Sequence, residues 1–185
     1  MNDCCVLLFV KYPENGKIKT RLSSGFKKID KVELYKNFVM DILSTINKLK
    51  IKLYICFYPG NAKKKFIDWM GGKYLYMPQN GLDLGGRMKN CFIKAFSLKF
   101  KRVIVIGSDL PDLPGKFIKN AFLFLNNHDV VIGPASDGGY YLLGFNSNTF
   151  VPDARNKYSG INHLNTYSYL SKYIFGFHNL QEYIK

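Results

Sequence analysis

The stretch Cys4-Cys5-Val6-Leu7-Leu8-Phe9-Val10 decides the fold, because it is apolar throughout and is followed at once by Lys11 and a polar loop. A parallel strand that is covered on both faces has this continuously apolar composition. Arg102-Val103-Ile104-Val105-Ile106 is a second segment of the same kind. Together the two segments predict the centre of a mostly parallel sheet with helices on both faces.

Helical and extended patterns alternate around these two segments. Apolar residues at helical spacing predict helices over 31–49, 62–70, 88–99, from Pro114 onward and over 166–174, and extended runs predict strands over 51–58, 74–77, 129–132 and 140–145. The alternation predicts one α/β domain over residues 1–185, a three-layer α/β/α arrangement with a mostly parallel sheet.

The composition fits a globular domain that binds anions. The chain has 185 residues, of which 47% are hydrophobic and 22% are charged. Lys and Arg number 27 against 13 for Asp and Glu, which gives a formal net charge of +14. Such an excess favours nucleotides, nucleic acid, acidic lipid or phosphorylated metabolites as partners. The chain has no RNP, zinc-finger or helix-turn-helix pattern, which argues against nucleic acid.

The cysteines and the apolar segments bear on the cellular compartment. Cys4, Cys5, Cys56 and Cys91 lie in apolar stretches without CxxC spacing, so we expect reduced, buried thiols. The first apolar run lacks a basic lead-in and a cleavage site, so it is not a signal peptide. No segment approaches the roughly 20 apolar residues that cross a bilayer. We therefore expect a cytoplasmic protein without a membrane partner.

The loop that leaves the first strand, residues 11–22, combines four cations with a glycine and a hydroxyl. Glycine lets backbone N–H groups curl around a phosphate, and Lys or Arg neutralise its charge. The loop matches neither the Walker motif nor the GxGxxG dinucleotide motif. A solvated surface loop is the alternative. The candidate phosphate-binding residues here are Lys11, Gly16, Lys19, Thr20 and Arg21.

The loop after the second apolar strand, Gly107 to Asp112, carries two carboxylates. Asp109 is the candidate ligand of a divalent cation, Mg²⁺ or Mn²⁺, because hard cations prefer oxygen ligands and can bridge to a diphosphate. The alternative is structural, since Asp109 or Asp112 could instead cap the helix near Pro114.

Two glycine-rich segments complete the set of candidates. Gly138 and Gly139 would let a ligand approach the backbone closely, and Asp137 adds an acceptor, although Asp-Gly between two strands favours an ordinary hairpin turn. Gly85 and Arg87 lie near a predicted helix start, which suits an anion. An ordinary loop is the alternative for this second segment.

The four segments together resemble the small GT-A-like glycosyltransferases described as radical-SAM/selenium-domain-associated transferases, which are related to the 2-phospho-lactate and molybdenum-cofactor guanylyltransferases. The likeness covers roughly residues 5–145. The matching residues are Phe9-Val10-Lys11 with Gly16 and 19–22; Gln79 with Gly81, 83–85 and Arg87-Met88; Gly107-Ser108-Asp109 with Pro111; and 129–131 with Gly133-Pro134 and 137–142.

The resemblance implies a nucleotide-diphospho-sugar transferase fold and a metal-assisted transferase that acts on a nucleotide-sugar and a small-molecule acceptor. It implies that Lys11, Lys19 and Arg21 hold phosphates, that Asp109 binds the metal, and that 137–139 line the acceptor side. Asp137 would orient or deprotonate the acceptor hydroxyl.

The C-terminal part departs from the family pattern, and two alternatives follow. Relatives carry a Trp followed by Ser or Thr, and later an acidic element, where this chain has 161–166 and 177–182 with only Glu182 acidic. A catalytically inactive nucleotide-binding module is therefore one alternative. A nucleotidyltransferase that uses a free nucleoside triphosphate is the other.

Overall fold

The computed structural model describes residues 2–13, 28–135 and 138–150 of the chain. In chain order its elements are β1 (Cys4–Lys11), α1 (Lys28–Leu49), β2 (Lys52–Tyr58), α2 (Lys63–Met70), β3 (Leu75–Pro78), α3 (Leu84–Ser97), β4 (Arg102–Ile106), α4 (Gly115–Phe124), β5 (Val130–Pro134) and β6 (Tyr140–Asn146).

These strands form one sheet in the order β3-β2-β1-β4-β6-β5. β1 pairs in parallel with β2 and with β4, and β2 pairs in parallel with β3. β6 is antiparallel to both of its neighbours, so β5 runs in the same direction as β4. The carboxyl ends of β1, β2, β3, β4 and β5 therefore meet at one edge of the sheet, the carboxyl edge.

The apolar residues of β1 supply both faces of the sheet, as the sequence predicts. Even-numbered residues from Cys4 to Val10 join the larger buried cluster, with apolar side chains of α1, α2 and α4. Cys5 and Leu7 join the other cluster, to which α3 contributes. Because side chains alternate between the faces of a strand, a central strand must be apolar throughout to be buried on both. The three-layer α/β/α prediction is confirmed.

Two further predictions are confirmed, and two helix starts differ from the predicted ones by three or more residues. β5 and β6 form a hairpin, closed by a bond from the Ala135 N–H to the Gly139 carbonyl (2.9 Å), and all four cysteines are free and buried. α1 begins at Lys28, three residues before its predicted start, and α3 begins at Leu84 instead of Met88. The helix predicted over 166–174 lies outside the described residues.

The structure also bears on the expectation about membranes. None of the helices in the described ranges combines the length and the apolar character that crossing a bilayer requires.

Candidate functional site

The carboxyl edge brings the ends of β1 and β4 side by side. Leu8 of β1 pairs with Ile106 of β4, so Lys11 and Asp109 each follow a paired residue by three positions. The strand order reverses between these two strands, because the chain moves from β1 towards β2 and returns to β4. Open α/β sheets bind ligands at such a switch point, beyond the carboxyl ends of the strands. The structure thus brings two of the sequence-predicted site residues to one place.

A hydroxyl of α1 connects the two strand ends. The Lys11 backbone N–H donates to Tyr35 Oη (3.2 Å between N and O), and Tyr35 Oη lies 2.8 Å from Ser108 Oγ. Burial raises the pKa of Tyr35 above its usual value, and the hydrogen bonds with Ser108 and the Lys11 N–H offset only part of this rise, to which the charge of Asp109 adds. The phenol is therefore protonated at neutral pH. This bridge holds the end of β1 and the loop after β4 at a fixed separation.

The loop after β4 places the Asp109 carboxylate over its own strand end. A Cβ built on Gly107 would lie 2.7 Å from Asp109 Oδ1, so the carboxylate occupies the space that a side chain would need. The Gly107 N–H donates to the Tyr141 carbonyl at the start of β6 (3.4 Å), which ties this loop to the hairpin. Asp109 itself is exposed, and no described side chain forms an ion pair or hydrogen bond with it.

A buried amide joins β1, β2 and the end of β3. Gln79 is 7% exposed, and its Nε2 donates to the Cys56 carbonyl at 2.6 Å and to the Val10 carbonyl at 3.5 Å. Its backbone N–H donates to the Phe57 carbonyl (2.9 Å). A buried amide is stable only when its polar atoms are paired, so Gln79 fixes where the 79–87 loop leaves the sheet.

The 79–87 loop turns sharply into α3. The Asp83 carboxylate accepts the Gly86 N–H at 2.7 Å, which caps the helix. Gly81 has φ +148°, and a Cβ there would lie 2.6 Å from the Arg87 backbone N. The cap explains why α3 begins at Leu84 despite the glycines at 85 and 86, which otherwise disfavour helix. Gly85 is exposed in the first turn.

The side chain of Arg87 fixes the conformation of the 79–87 loop. Its Nε donates to the Gly81 carbonyl (3.2 Å), and its guanidinium lies 3.8 Å from the centre of the Tyr58 ring. Tyr58 ends β2 and pairs with Lys11, so this stack stands beside the end of β1. Arg87 therefore contributes to the shape of the site as well as to its positive charge.

The hairpin between β5 and β6 forms the opposite side of the site. Gly138 is exposed with φ +84°, and its N–H donates to the Ala135 carbonyl (3.1 Å). The Tyr140 hydroxyl points to Met88 Sδ of α3 at 3.8 Å. Gly138 and Gly139 thus stand at the carboxyl edge, as the sequence predicts, in the hairpin that was the alternative reading of this segment.

Several candidates lie outside the described residues, and so do both departures from the family pattern. They are Gly16, Lys19, Thr20, Arg21 and Asp137, with the segments 161–166 and 177–182. Their roles stay predictions.

The role of Asp109 as ligand of a divalent cation stays a prediction. No group of three His, Cys, Asp or Glu side chains in the described ranges is arranged to hold a metal ion. Mg²⁺, however, usually keeps several waters and binds through one or two carboxylates together with substrate phosphates. The exposed Asp109 carboxylate fits that kind of site.

Sequence reasoning missed three contributors to the site: Tyr35, Gln79 as a buried amide, and Tyr58. Tyr35 occupies an apolar position of its helix, so the sequence pattern gives no sign that its hydroxyl forms hydrogen bonds at the site. A signal existed for Gln79, since it directly follows the short β3 segment and stands in the quoted motif.

The fold and the arrangement of the site together define the class of protein. The chain has the nucleotide-diphospho-sugar transferase, or GT-A-like, fold. Over 83% of this chain and 67% of the other, it superposes with a TM-score of 0.78 and 45% identity on the "putative nucleotide-diphospho-sugar transferase" of Desulfovibrio desulfuricans G20. A cytidylyltransferase from Leptospira borgpetersenii shares the fold at 14% identity, with a TM-score of 0.55 over 91% of this chain and 74% of the other.

The chain belongs to the family described as "Uncharacterized protein conserved in bacteria (DUF2064)", whose model matches residues 42–160. It is also 24% identical over 166 residues to the 2-phospho-L-lactate guanylyltransferase of Methanocaldococcus jannaschii, covering 88% of this chain and 70% of that protein. The resemblance to GT-A-like transferases is confirmed.

Proposed function

We propose that this chain is a metal-assisted transferase that acts on a nucleotide ligand, whose diphosphate lies between Lys11 and Asp109. One observation carries the proposal: adjacent parallel strands bring a cation and an exposed carboxylate to the switch point of the sheet, and the Tyr35–Ser108 bridge joins the two strand ends there. The names of two relatives, a guanylyltransferase and a nucleotide-diphospho-sugar transferase, support the same class of ligand.

Each residue has a part in this reaction. Lys11 places fixed positive charge where negative charge develops on the leaving phosphate. Asp109 would hold a divalent cation, which would supply Lewis-acid stabilisation of the negative charge on the phosphates. The exposed first turn of α3 at Gly85 leaves room for a second phosphate. Lys19 and Arg21 add charge to the diphosphate, and Asp137, with Gly138 and Gly139, receives the acceptor hydroxyl.

Two donors fit this site. The relative at 45% identity favours transfer of a sugar from a nucleoside diphosphate. The guanylyltransferase relative favours transfer of a nucleotidyl group from a free triphosphate. A thermal-shift panel of GTP, CTP and UTP against GDP- and UDP-sugars, each with and without Mn²⁺, identifies the donor, because ligands that bind the native state raise its melting temperature. Product analysis with that donor then separates a transferase from an inactive binding module.

Variants of the two central residues test the site itself. Asp109→Asn is expected to remove the Mn²⁺-dependent part of the thermal shift, because the carboxylate is the proposed cation ligand. Asp112→Asn, an exposed carboxylate of the same loop, serves as the matched control and keeps the full shift. Lys11→Ala is expected to weaken nucleotide binding about tenfold with or without metal. An unchanged Mn²⁺ titration in Asp109→Asn would exclude Asp109 as the cation ligand.

A further inference from the structure

The hydroxyls of Tyr35 and Ser108 carry two protons, and only one of them takes part in a hydrogen bond between described residues. The Lys11 N–H can only donate, so Tyr35 Oη accepts from it at 3.2 Å. One hydroxyl proton occupies the 2.8 Å bond between Tyr35 Oη and Ser108 Oγ. No residue in the described ranges accepts the other.

The direction of the shared bond decides which hydroxyl keeps the unused proton. A phenol is a stronger acid, and therefore a stronger donor, than an alcohol. Tyr35 Oη also already accepts from the Lys11 N–H. On these grounds we assign Tyr35 as the donor to Ser108, which leaves the Ser108 hydroxyl with a proton that it can donate. Hydrogen bonds in a chain polarise one another, which makes this terminal donor stronger.

The position of Ser108 points to the acceptor. Ser108 is 8% exposed and lies between Gly107, which ends the pairing with β6, and Asp109 at the carboxyl edge. A donor with so little exposure costs free energy unless it is paired. The surrounding charges are Lys11 on β1 and Asp109 on the same loop. An anionic oxygen held between them would lie beside the Ser108 hydroxyl.

We propose that Tyr35 and Ser108 form a two-hydroxyl relay that presents one hydrogen-bond donor to an anionic oxygen of the nucleotide diphosphate, next to Asp109. This inference rests on the proposed function and adds two residues to it. Ser108 binds the ligand directly. Tyr35 is a positioning residue, because it orients the Ser108 hydroxyl and holds the backbone of Lys11.

The relay is tested by measuring affinity with GTP and with inorganic pyrophosphate, both with Mg²⁺, by titration calorimetry. Pyrophosphate isolates the phosphate contacts from those of the base. The variants are Ser108→Ala, Tyr35→Phe and the double variant. Tyr76→Phe is the matched control, since it removes a tyrosine hydroxyl that donates to the Gly71 carbonyl (2.6 Å) away from the carboxyl edge.

We expect Ser108→Ala to weaken both probes about tenfold or more, because hydrogen bonds to charged groups are stronger than neutral ones. Tyr35→Phe weakens them as well, and the double variant loses less than the product of the two single losses, because the part of the Tyr35 effect that acts through Ser108 is already absent. Tyr76→Phe binds like the wild type. If Tyr35→Phe does not fold, the comparison of Ser108→Ala with the wild type decides alone.

Two results would overturn the relay while leaving the proposed function in place. The first is wild-type affinity in Ser108→Ala. The second is a double variant whose loss equals the product of the two single losses, since independent residues behave in that way. Absence of binding by the wild type to both probes would instead remove the proposed function, and the relay with it.

Discussion

Two helices begin at the same edge of the sheet, and they begin in opposite ways. α3 starts behind Asp83, whose carboxylate caps it. α2 starts behind Ala62, which offers no side-chain cap, and its first turn carries the lysines at 63, 64 and 65 and no acidic residue. Because a helix N-terminus carries partial positive charge, the start of α3 is stabilised locally and that of α2 is destabilised.

The difference shows where this chain concentrates its conformational constraints. α2 is held by what it packs against: Phe66 and Met70 are buried, and the Phe66 ring lies edge-on to Tyr12 with 5.4 Å between centroids and 5.3 Å from the ring of Phe57. The start of α3 is held by a cap, a glycine conformation and an arginine stack, all beside the candidate site. Precise placement of the backbone matters where a ligand must be bound, and packing suffices elsewhere.

The largest effect is expected from Gly81→Ala. The new side chain would combine a strained φ of +148° with contacts of 2.6 Å and 2.7 Å to backbone atoms of Arg87 and Gly86. We expect a loss of about 3 kcal/mol in the free energy of unfolding, measured with urea. Gly71→Ala is the matched control, because Gly71 has φ +91° but no atom within 4 Å of the new Cβ. Equal losses in the free energy of unfolding of the two variants would mean that the 79–87 loop shifts to accommodate the new side chain at little cost.

A smaller effect is expected from Asp83→Ala. Removing the cap of α3 leaves the Gly86 N–H without its partner and lowers the free energy of unfolding by about 1 kcal/mol. Asp83→Asn keeps an acceptor and should lose much less. If the Asn variant is as unstable as the Ala variant, the cap is not what stabilises this helix start.

The smallest effect, and one of opposite sign, is expected from Lys64→Glu in the first turn of α2. Exchanging a cation for an anion there should stabilise the protein by about 0.5 kcal/mol at low salt, and less in 1 M salt. Lys94→Glu in the last turn of α3 places the same change at the other end of a helix dipole and should destabilise. Thermal unfolding at two salt concentrations measures both, and a shift of the same sign in both variants would contradict the dipole argument.

The sequence predicts the parts of the fold that depend on local patterns. β1 and β4 are identifiable because strands buried on both faces must be apolar throughout. The start of α3 is missed because Gly85 and Gly86 disfavour helix, and a cap by Asp83 depends on geometry that the pattern does not contain.

The candidate site is predictable only in part, for a related reason. Lys11 and Asp109 can be placed at one edge because both follow apolar parallel strands. The Tyr35–Ser108 bridge joins residues 73 positions apart, and a partly buried tyrosine on an apolar helix face gives no sign of it. Gln79 acts through backbone carbonyls of β1 and β2, which no side-chain pattern reports.

The pairing of β1 has a consequence for how the protein is assembled during synthesis. β1 can pair with β2 soon after it is made, but its other neighbour follows much later, since Cys4 pairs with Arg102. At ribosomal rates of roughly 5–20 residues per second, the interval between completion of β2 and of β4 lasts on the order of several seconds. During that interval one edge of β1 is unpaired, and an unpaired edge can associate with other chains. The proposed nucleotide site lies between β1 and β4, so the nascent chain completes that site only when β4 pairs with β1 and ends the exposure.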